Sequence, residues 1–340
     1  MDFDADLRRD VSLSSLNTLA LTSTADYVTE ISRVDQLAVA LEFARAHQMP
    51  WRVLGGGSNV ILPAHLPGLV LLMRTRGITL LNEDESSVVI AVAAGEVWDD
   101  VVAHTLTQAW YGLENLSLIP GSCGAAPVQN IGAYGIEVAQ FIVAVEYFDA
   151  LDGCMYTVSA NECEFRYRDS VFKHALRGRA IITCVHLRLS RAPAISLQYP
   201  ALAAQFVAGA QPTPHDVRAA VIAVRRSKLP DPAVLPNVGS FFKNPVVSRS
   251  QFEPLQLADP ALPFYPQADG SVKLAAGYLV EKCGWKGRAD GPVQVHAQQA
   301  LVLINRGGAD ATALLHTADA IRRDVFARYG VALVIEPDIL

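Results

Sequence analysis

The sequence predicts an α+β protein of two or three domains, and three observations carry that expectation. First, β-rich runs dominate the middle of the chain. In AIITCVHLRLS the residues Ile181, Thr183, Val185, Leu187 and Leu189 alternate with Ile182, Cys184, His186 and Arg188, as a strand in a packed sheet requires. Second, other stretches carry helix start signals followed by apolar residues at helical spacing. Third, 340 residues at 51% hydrophobic can bury a sizeable core, and the length fits domains of about 100–200 residues each.

Taken in order, Ser32 is placed to cap a helix running into HQMP, with Asp35 three residues on and Leu37, Leu41 and Ala44 on one face. WRVLGGGSNVIL then reads as a buried strand breaking into a glycine loop, which is a strand-to-loop place for a ligand. LVLLMRTRGITLL, SVVIAVAAG and FIVAVEYFDA are strands, and Asp152-Gly153 is a hairpin turn leading into CMYTVSA. Between them EVWDDVVAHTLTQAWYGLENL (96–116) reads as helical and ends in the loop LIPGSCGAAPVQNIGAYG. APAISLQYPALAAQFVAGAQPTP is turn-rich. It leads to a helix capped by Thr213, with Pro214 at its first position, Asp216 closing the box, and Val217, Val221 and Val224 inward. A third unit starts near here. It holds LPNVGSFFKNP, the run VKLAAGYLVEKCGWKG, the strand QALVLIN, and a helix whose Leu314, Ala318, Ile321 and Val325 share one face before Gly330. VALVIEPDIL closes the chain as a strand, with Glu336 reading as a buried carboxylate.

Composition removes several function classes. With 28 basic and 34 acidic residues the net charge is −6, and no Lys/Arg tract offers a nucleic-acid surface. The head of the chain, MDFDADLRRDVSLSSLN, is polar and acidic, and no apolar run reaches about 18 residues, so secretion and membrane spanning are not expected. Cys123, Cys154, Cys163, Cys184 and Cys283 are widely separated, odd in number and without a C-x-x-C pair. They read as reduced thiols of a cytoplasmic protein, with no structural metal expected.

Two glycine loops are candidate ligand cradles: GGGSN (55–59) and IPGSCGAAPVQNIGAYG (119–135). Glycine lets backbone N–H groups approach phosphate oxygens and adopts positive φ. Neither loop is a P-loop or a dinucleotide G-x-G-x-x-G fingerprint, and either alone can be a structural turn. Together, with Asn59, Gln129 and Asn130 available for side-chain bonds, they point to a large phosphate-bearing cofactor. FRYRDSVFK gathers Arg166, Tyr167, Arg168, Asp169 and Lys173. It is either a solvated loop in which Asp169 pairs with a neighbouring arginine, or an anion site in which a guanidinium grips a carboxylate. Ser240 lies outside any G-x-S-x-G elbow and has no nearby histidine, so a nucleophile is disfavoured and a turn serine or a proton donor remains.

LGGGSNVIL, IPGSCGAAPVQNIGAYG, FRYRDSVFK, SKLPDP, GSFFKNP, QALVLIN and IEPD, in that order over nearly the whole chain, closely resemble the UDP-N-acetylenolpyruvoylglucosamine reductase (MurB) family. The resemblance implies a three-domain α+β flavoprotein. Two FAD-binding domains of the vanillyl-alcohol-oxidase type would cover 1–75, joined by the terminal strand 331–340, and 76–210; a C-terminal substrate-binding α+β domain would cover 211–330. FAD is then held non-covalently by Gly55, Gly56, Gly57, Ser58, Asn59, Val60, Ile119, Pro120, Gly121, Ser122, Gly124, Ala125, Asn130, Ile131, Gly132, Ala133, Tyr134 and Gly135. NADPH is the implied hydride donor, and a nucleotide sugar bearing an enolpyruvyl ether the implied substrate.

The same resemblance makes Ser240 the general acid, with Arg168 and Glu336 acting on the substrate carboxylate. Glu336 helps there only if it is neutral and donates a hydrogen bond, because an anion would repel the charge it faces. Tyr199 matches the tyrosine of a substrate-closing loop in one subclass, while Tyr167, Lys228, Asn244 and Gln299 match substrate-holding positions. No role is implied for Cys123. A cytoplasmic monomer without nucleic-acid or membrane partners is expected. Two competing readings are an alcohol or sugar oxidase of the same flavin fold, which commonly tethers FAD through His or Cys, and a nucleotide-sugar sensor without turnover. No tether is evident here, and Ser240, Arg168 and Glu336 are all present.

Overall fold

The computed structural model describes residues 7–207 and 209–340; the first residues of the acidic head lie outside the described residues. The chain divides into two compact units. One comprises Met1–Val11, Ala25–Gly57 and Pro67–Ser227, the other Ser12–Thr24, Ser58–Leu66 and Lys228–Leu340.

The first unit contains a four-stranded sheet in the order Arg8–Ser12, Thr24–Ile31, His65–Met73, Trp51–Leu54, in which the last two run parallel. It also contains a five-stranded antiparallel sheet ordered Met155–Ser159, Ile142–Asp149, Ala180–Ser190, Ser87–Ala93, Ile78–Glu83. The alternation read at 181–189 fixes the register. Val185 sits opposite Val145 on one side and Val92 on the other, and all three are fully buried. A slip by one residue would turn Cys184 and His186 into this core row. At the expected hairpin, Gly153 takes φ +73° and the Asp152 carboxylate accepts from the Cys154 N–H, as a D-G turn should.

Two helix boundaries and one strand differ from the sequence expectation. Ser32 does not cap the first helix, which runs Gln36–Ala46; instead the Gln36 side chain reaches back and accepts from the N–H groups of Ser32 and Arg33. Its buried face is Leu37, Ala40, Leu41 and Ala44, and the chain leaves at Gln48 with φ +52°, before Pro50. The helix expected over 96–116 covers only Trp98–Thr107. Ala109 turns left-handed and the Trp110 N–H returns to the Thr105 carbonyl, which closes the helix. The strand read in WRVLGGGSNVIL is Trp51–Leu54, of which only Leu54 is buried, followed by the glycine loop and a separate Val60–Ile61 strand. The helix Pro214–Lys228 has the expected reciprocal cap, with the Thr213 N–H donating to Asp216 and the Asp216 N–H to the Thr213 hydroxyl. Expected to open a third domain, it falls almost entirely in the first unit.

In the second unit the helix Ala311–Tyr329 begins at Asp310, whose carboxylate accepts from the Ala313 N–H, and ends at Gly330 with φ +64°. Leu314, Ala318, Ile321 and Val325 are all fully buried, and each Leu, Ile or Val there is stabilised by about 1.5–3 kcal/mol of apolar burial. Two three-stranded sheets complete the core: Val246–Val247, Val272–Leu274 and Phe264–Pro266, and Ala289–Asp290, Val293–Val295 and Leu303–Asn305. At the end of the chain the strand is only Asp338–Ile339, parallel to Val60–Ile61, and both lie in this unit. Among the described residues no helix is long and apolar enough to cross a membrane.

Candidate active site

The two glycine loops meet in the first unit, and that contact explains their glycines. A Cβ on Gly55 would lie 2.4 Å from the Ser122 hydroxyl oxygen, and one on Gly56 would lie 3.0 Å from the Gly121 Cα. At Gly56 main chain therefore touches main chain, and at Gly55 it meets the Ser122 side chain, approaches that a Cβ would block. The second loop is tied to the five-stranded sheet through the Gly124 N–H to the Ala94 carbonyl and the Cys123 N–H to the Glu96 carbonyl, both 2.8 Å. A Cβ at Gly124 would stand 2.5 Å from that of Ala94. Such a bare-backbone cradle is the donor type that holds a dinucleotide pyrophosphate, so these residues fit FAD.

Asn130 is used differently from the expectation. Its side chain is fully buried and engaged inside the protein: the amide donates to Glu137 and to the Arg166 carbonyl, and its oxygen accepts from the Ala139 N–H. It builds the loop through its side chain rather than reaching a ligand with it. Beyond it, Ile131 is buried, Gly132–Ala133 pairs with Ile136–Glu137, and Tyr134 and Gly135 form the left-handed tip.

Arg168 belongs to this loop system. Arg166 and Asp169 exchange two main-chain hydrogen bonds around it, and Arg168 takes φ +54°, a strained value for a side-chain-bearing residue. Its guanidinium donates to the carbonyls of Gly132 at 2.7 Å and Asn130 at 3.3 Å, while its plane lies over the Tyr167 ring. The Arg168 guanidinium thus lies against the second glycine loop. The Asp169 carboxylate meets His174 Nε2 at 2.7 Å. Tyr199 stands at the start of a short helix, Pro200–Ala203, its ring edge-on to Tyr134 with centroids 5.2 Å apart. Lys228 is exposed at the end of its helix.

Three groups escaped the sequence reading. Asp99 accepts from both terminal nitrogens of Arg218, at 2.6 and 2.9 Å, and from the Leu118 N–H at 2.5 Å, just before the second glycine loop. Burial raises its pKa, but the Arg218 bonds and the Leu118 N–H outweigh this and hold it below the usual carboxylate range. Arg225, one helical heptad after Arg218, is pulled down by burial, with Tyr134 and Asp99 opposing and Arg168 adding to the shift. The available signal was the seven-residue spacing of these arginines beside the Val217–Val221–Val224 face, but surface arginines share it.

The second unit brings Ser240 and Glu336 together. Asn237 is buried, its amide donates to the carbonyls of Pro230 and Leu235, and its oxygen accepts from the Gly239 N–H. Gly239 then turns left-handed, and the following residues run between two neighbours. On one side Ser240 bridges Val302 and the Phe241 N–H donates to Leu301; on the other the Glu336 N–H donates to the Phe241 carbonyl and the Lys243 N–H to Val334. Phe241 and Phe242 are buried, whereas Ser240 is exposed. Glu336, expected to be buried, is half-buried, and beside it an isolated bridge between Ile335 and Phe242 stands where a regular strand was expected. Asn244 accepts from the Ala276 N–H at the start of the helix Ala276–Lys282, and the Gln299 carbonyl accepts from the Val302 N–H, so both flank the same segment. Arg168 belongs to the other unit.

The cradle and its sheets define a flavin-binding α+β oxidoreductase: residues 25–159 match the FAD binding domain family. Residues 231–340 match the C-terminal domain of UDP-N-acetylenolpyruvoylglucosamine reductase. The chain is 47% identical over 329 residues to the UDP-N-acetylenolpyruvoylglucosamine reductase of Paraburkholderia phytofirmans, covering 96% of this chain and 95% of that one. It is equally 47% identical to that of Chromobacterium violaceum, with 98% of each chain covered. It therefore belongs to the UDP-N-acetylenolpyruvoylglucosamine reductase family. The crystal structure of the Thermus caldophilus enzyme of that name shares the fold, with a TM-score of 0.67 at 23% identity over 98% of this chain and 99% of that one.

Proposed function

We propose that this chain reduces UDP-N-acetyl-3-O-(1-carboxyvinyl)-glucosamine to UDP-N-acetylmuramate for peptidoglycan precursor synthesis, with FAD held non-covalently and NADPH as donor. When bound, FAD supplies hydride chemistry, carrying two electrons from NADPH to the terminal carbon of the enolpyruvyl group. The substrate is then left with negative charge on the adjacent carbon, delocalised into its carboxylate.

Ser240 gives that carbon its proton. A hydroxyl is a weak acid, but an enolate is basic enough to take its proton, so no histidine is needed. Arg168 places a fixed positive charge on the substrate carboxylate as it gains enolate character, and Glu336 acts there as a neutral hydrogen-bond donor. The single observation that supports this assignment is the main-chain ladder around Ser240: Phe241 donates its N–H to Leu301 and accepts from the Glu336 N–H through its carbonyl, and the Gly239 N–H donates to the Asn237 side chain, so the hydroxyl is exposed on a fixed backbone. The cradle residues 55–60 and 119–135 take the cofactor, and Tyr167, Tyr199, Lys228, Asn244 and Gln299 hold the substrate's diphosphate, sugar or carboxylate. We assign 1–75, joined by 331–340, and 76–210 to the two cofactor-binding domains, and 211–330 to substrate binding. We assign a monomeric cytoplasmic enzyme; the net charge of −6 argues against a nucleic-acid partner.

The test is anaerobic. NADPH should bleach the oxidised flavin band, and the enolpyruvyl nucleotide sugar should restore it with formation of one equivalent of product. A reduced flavin that stays reduced in the presence of this substrate would refute the assignment.

A further inference from the structure

Among the described residues, one cluster of ligating side chains stands on the five-stranded sheet, outside the active site. Glu146 and Cys184 are directly opposite each other on neighbouring antiparallel strands, and His186 follows Cys184 by two residues on the same face, diagonal to Glu146. Their ligand atoms all lie within 4.8 Å of one another, and all three residues are half-buried. The ordinary account is a Glu146–His186 hydrogen bond of 2.7 Å with a cysteine beside it.

Two features go beyond that account. The three groups form a mixed sulfur, nitrogen and oxygen set, which suits zinc and its neighbours and is poorly suited to magnesium or calcium. The residues around them on the same face are small: Ala93 faces Cys184 and Ala91 faces His186 across one neighbouring strand, and Ala144 faces His186 across the other. No bulky side chain therefore faces Cys184 or His186 from those strand positions.

We propose that Glu146, Cys184 and His186 form a three-ligand site for a divalent ion of the zinc class, completed by water. On binding, the Cys184 thiol loses its proton to solvent and the sulfur becomes a thiolate ligand. The His186 nitrogen now hydrogen-bonded to Glu146 becomes the metal ligand, its proton moving to the other ring nitrogen, and the freed carboxylate supplies the oxygen. Thiolate and carboxylate together neutralise the dication, so the occupied half-buried site carries no net charge. The ligands sit on central strands of the sheet, so little backbone order is lost on binding.

The test uses the FAD-loaded full chain. Equilibrium dialysis against low-micromolar Zn²⁺, with metal analysis, should give one equivalent bound per chain in excess of that bound by C184S. H186Q and E146Q should each weaken this equivalent at least about tenfold while flavin content stays normal. Substitution with Co²⁺ should add a thiolate-to-cobalt charge-transfer band to the difference spectrum, absent in C184S. Should one variant fail to retain flavin, the other two carry the comparison. The proposal is overturned if zinc binding is the same in wild type and the variants, if no equivalent binds, or if bound cobalt shows no thiolate band.

Discussion

The cofactor cradle and the Ser240 segment are both positioned through main chain, but by opposite means. In the cradle, side chains are removed so that two loops can touch: Gly55 against Ser122, Gly56 against Gly121, Gly124 against Ala94. Around Ser240 the backbone is held in a ladder between 301–302 and 334–336, and the flanking aromatics Phe241 and Phe242 are sunk into the core. The first arrangement fails when volume is added. The second tolerates a change of the Ser240 side chain, because none of those hydrogen bonds passes through the hydroxyl.

Substitutions at three positions bring out that contrast. The largest effect belongs to Gly124→Val, whose new Cβ would meet Ala94 Cβ at 2.5 Å and its backbone at 3.1 Å. The purified protein should carry no flavin absorbance, and a normal ratio of flavin to protein would break the cradle account. Next comes Glu336. Removing an electrostatic donor from a reacting oxyanion costs about 10²–10³-fold, so Glu336→Ala should slow flavin reoxidation by substrate on that scale. Glu336→Gln retains a donor and should lose much less; equal losses in stopped-flow traces would contradict the neutral-donor role. The smallest is Asp99→Asn, which removes the charge shared by Arg218 and the Leu118 N–H and should cost about 1–3 kcal/mol in denaturant unfolding.

That ion pair also gives a pH signature. The folded pKa of Asp99 lies below its unfolded value, so its contribution is fully present above the unfolded carboxylate pKa and is lost as pH falls through the folded one. Stability of the wild type should therefore fall more steeply in acid than that of Asp99→Asn. Parallel acid unfolding curves would remove Asp99 from the set of positioning residues.

What could be read from sequence followed local signals. The 181–189 alternation, the Thr213-Pro214-Asp216 start and the Leu314–Val325 face are short-range patterns, and the structure keeps each of them. The helix read over 96–116 failed because its end depends on Ala109 adopting a left-handed backbone, which alanine does not announce. Asp99 and Arg218 were invisible for another reason: they lie 119 residues apart, and only the fold makes them a pair. Asn130 shows the converse. Its polar side chain beside glycines read as a ligand contact, yet a buried amide must satisfy its own donors and acceptor, and here Glu137, Arg166 and Ala139 do so.

The central claim is that Ser240 donates a proton and does not hold the site together. Stopped-flow spectroscopy of Ser240→Ala, following each half-reaction separately, tests it most directly. Flavin reduction by NADPH should stay within about twofold of wild type, while reoxidation by the enolpyruvyl substrate should slow by about 10²–10⁴-fold, the usual span for a lost general acid. Equal slowing of both halves would mean that Ser240 is structural and that the proton comes from elsewhere.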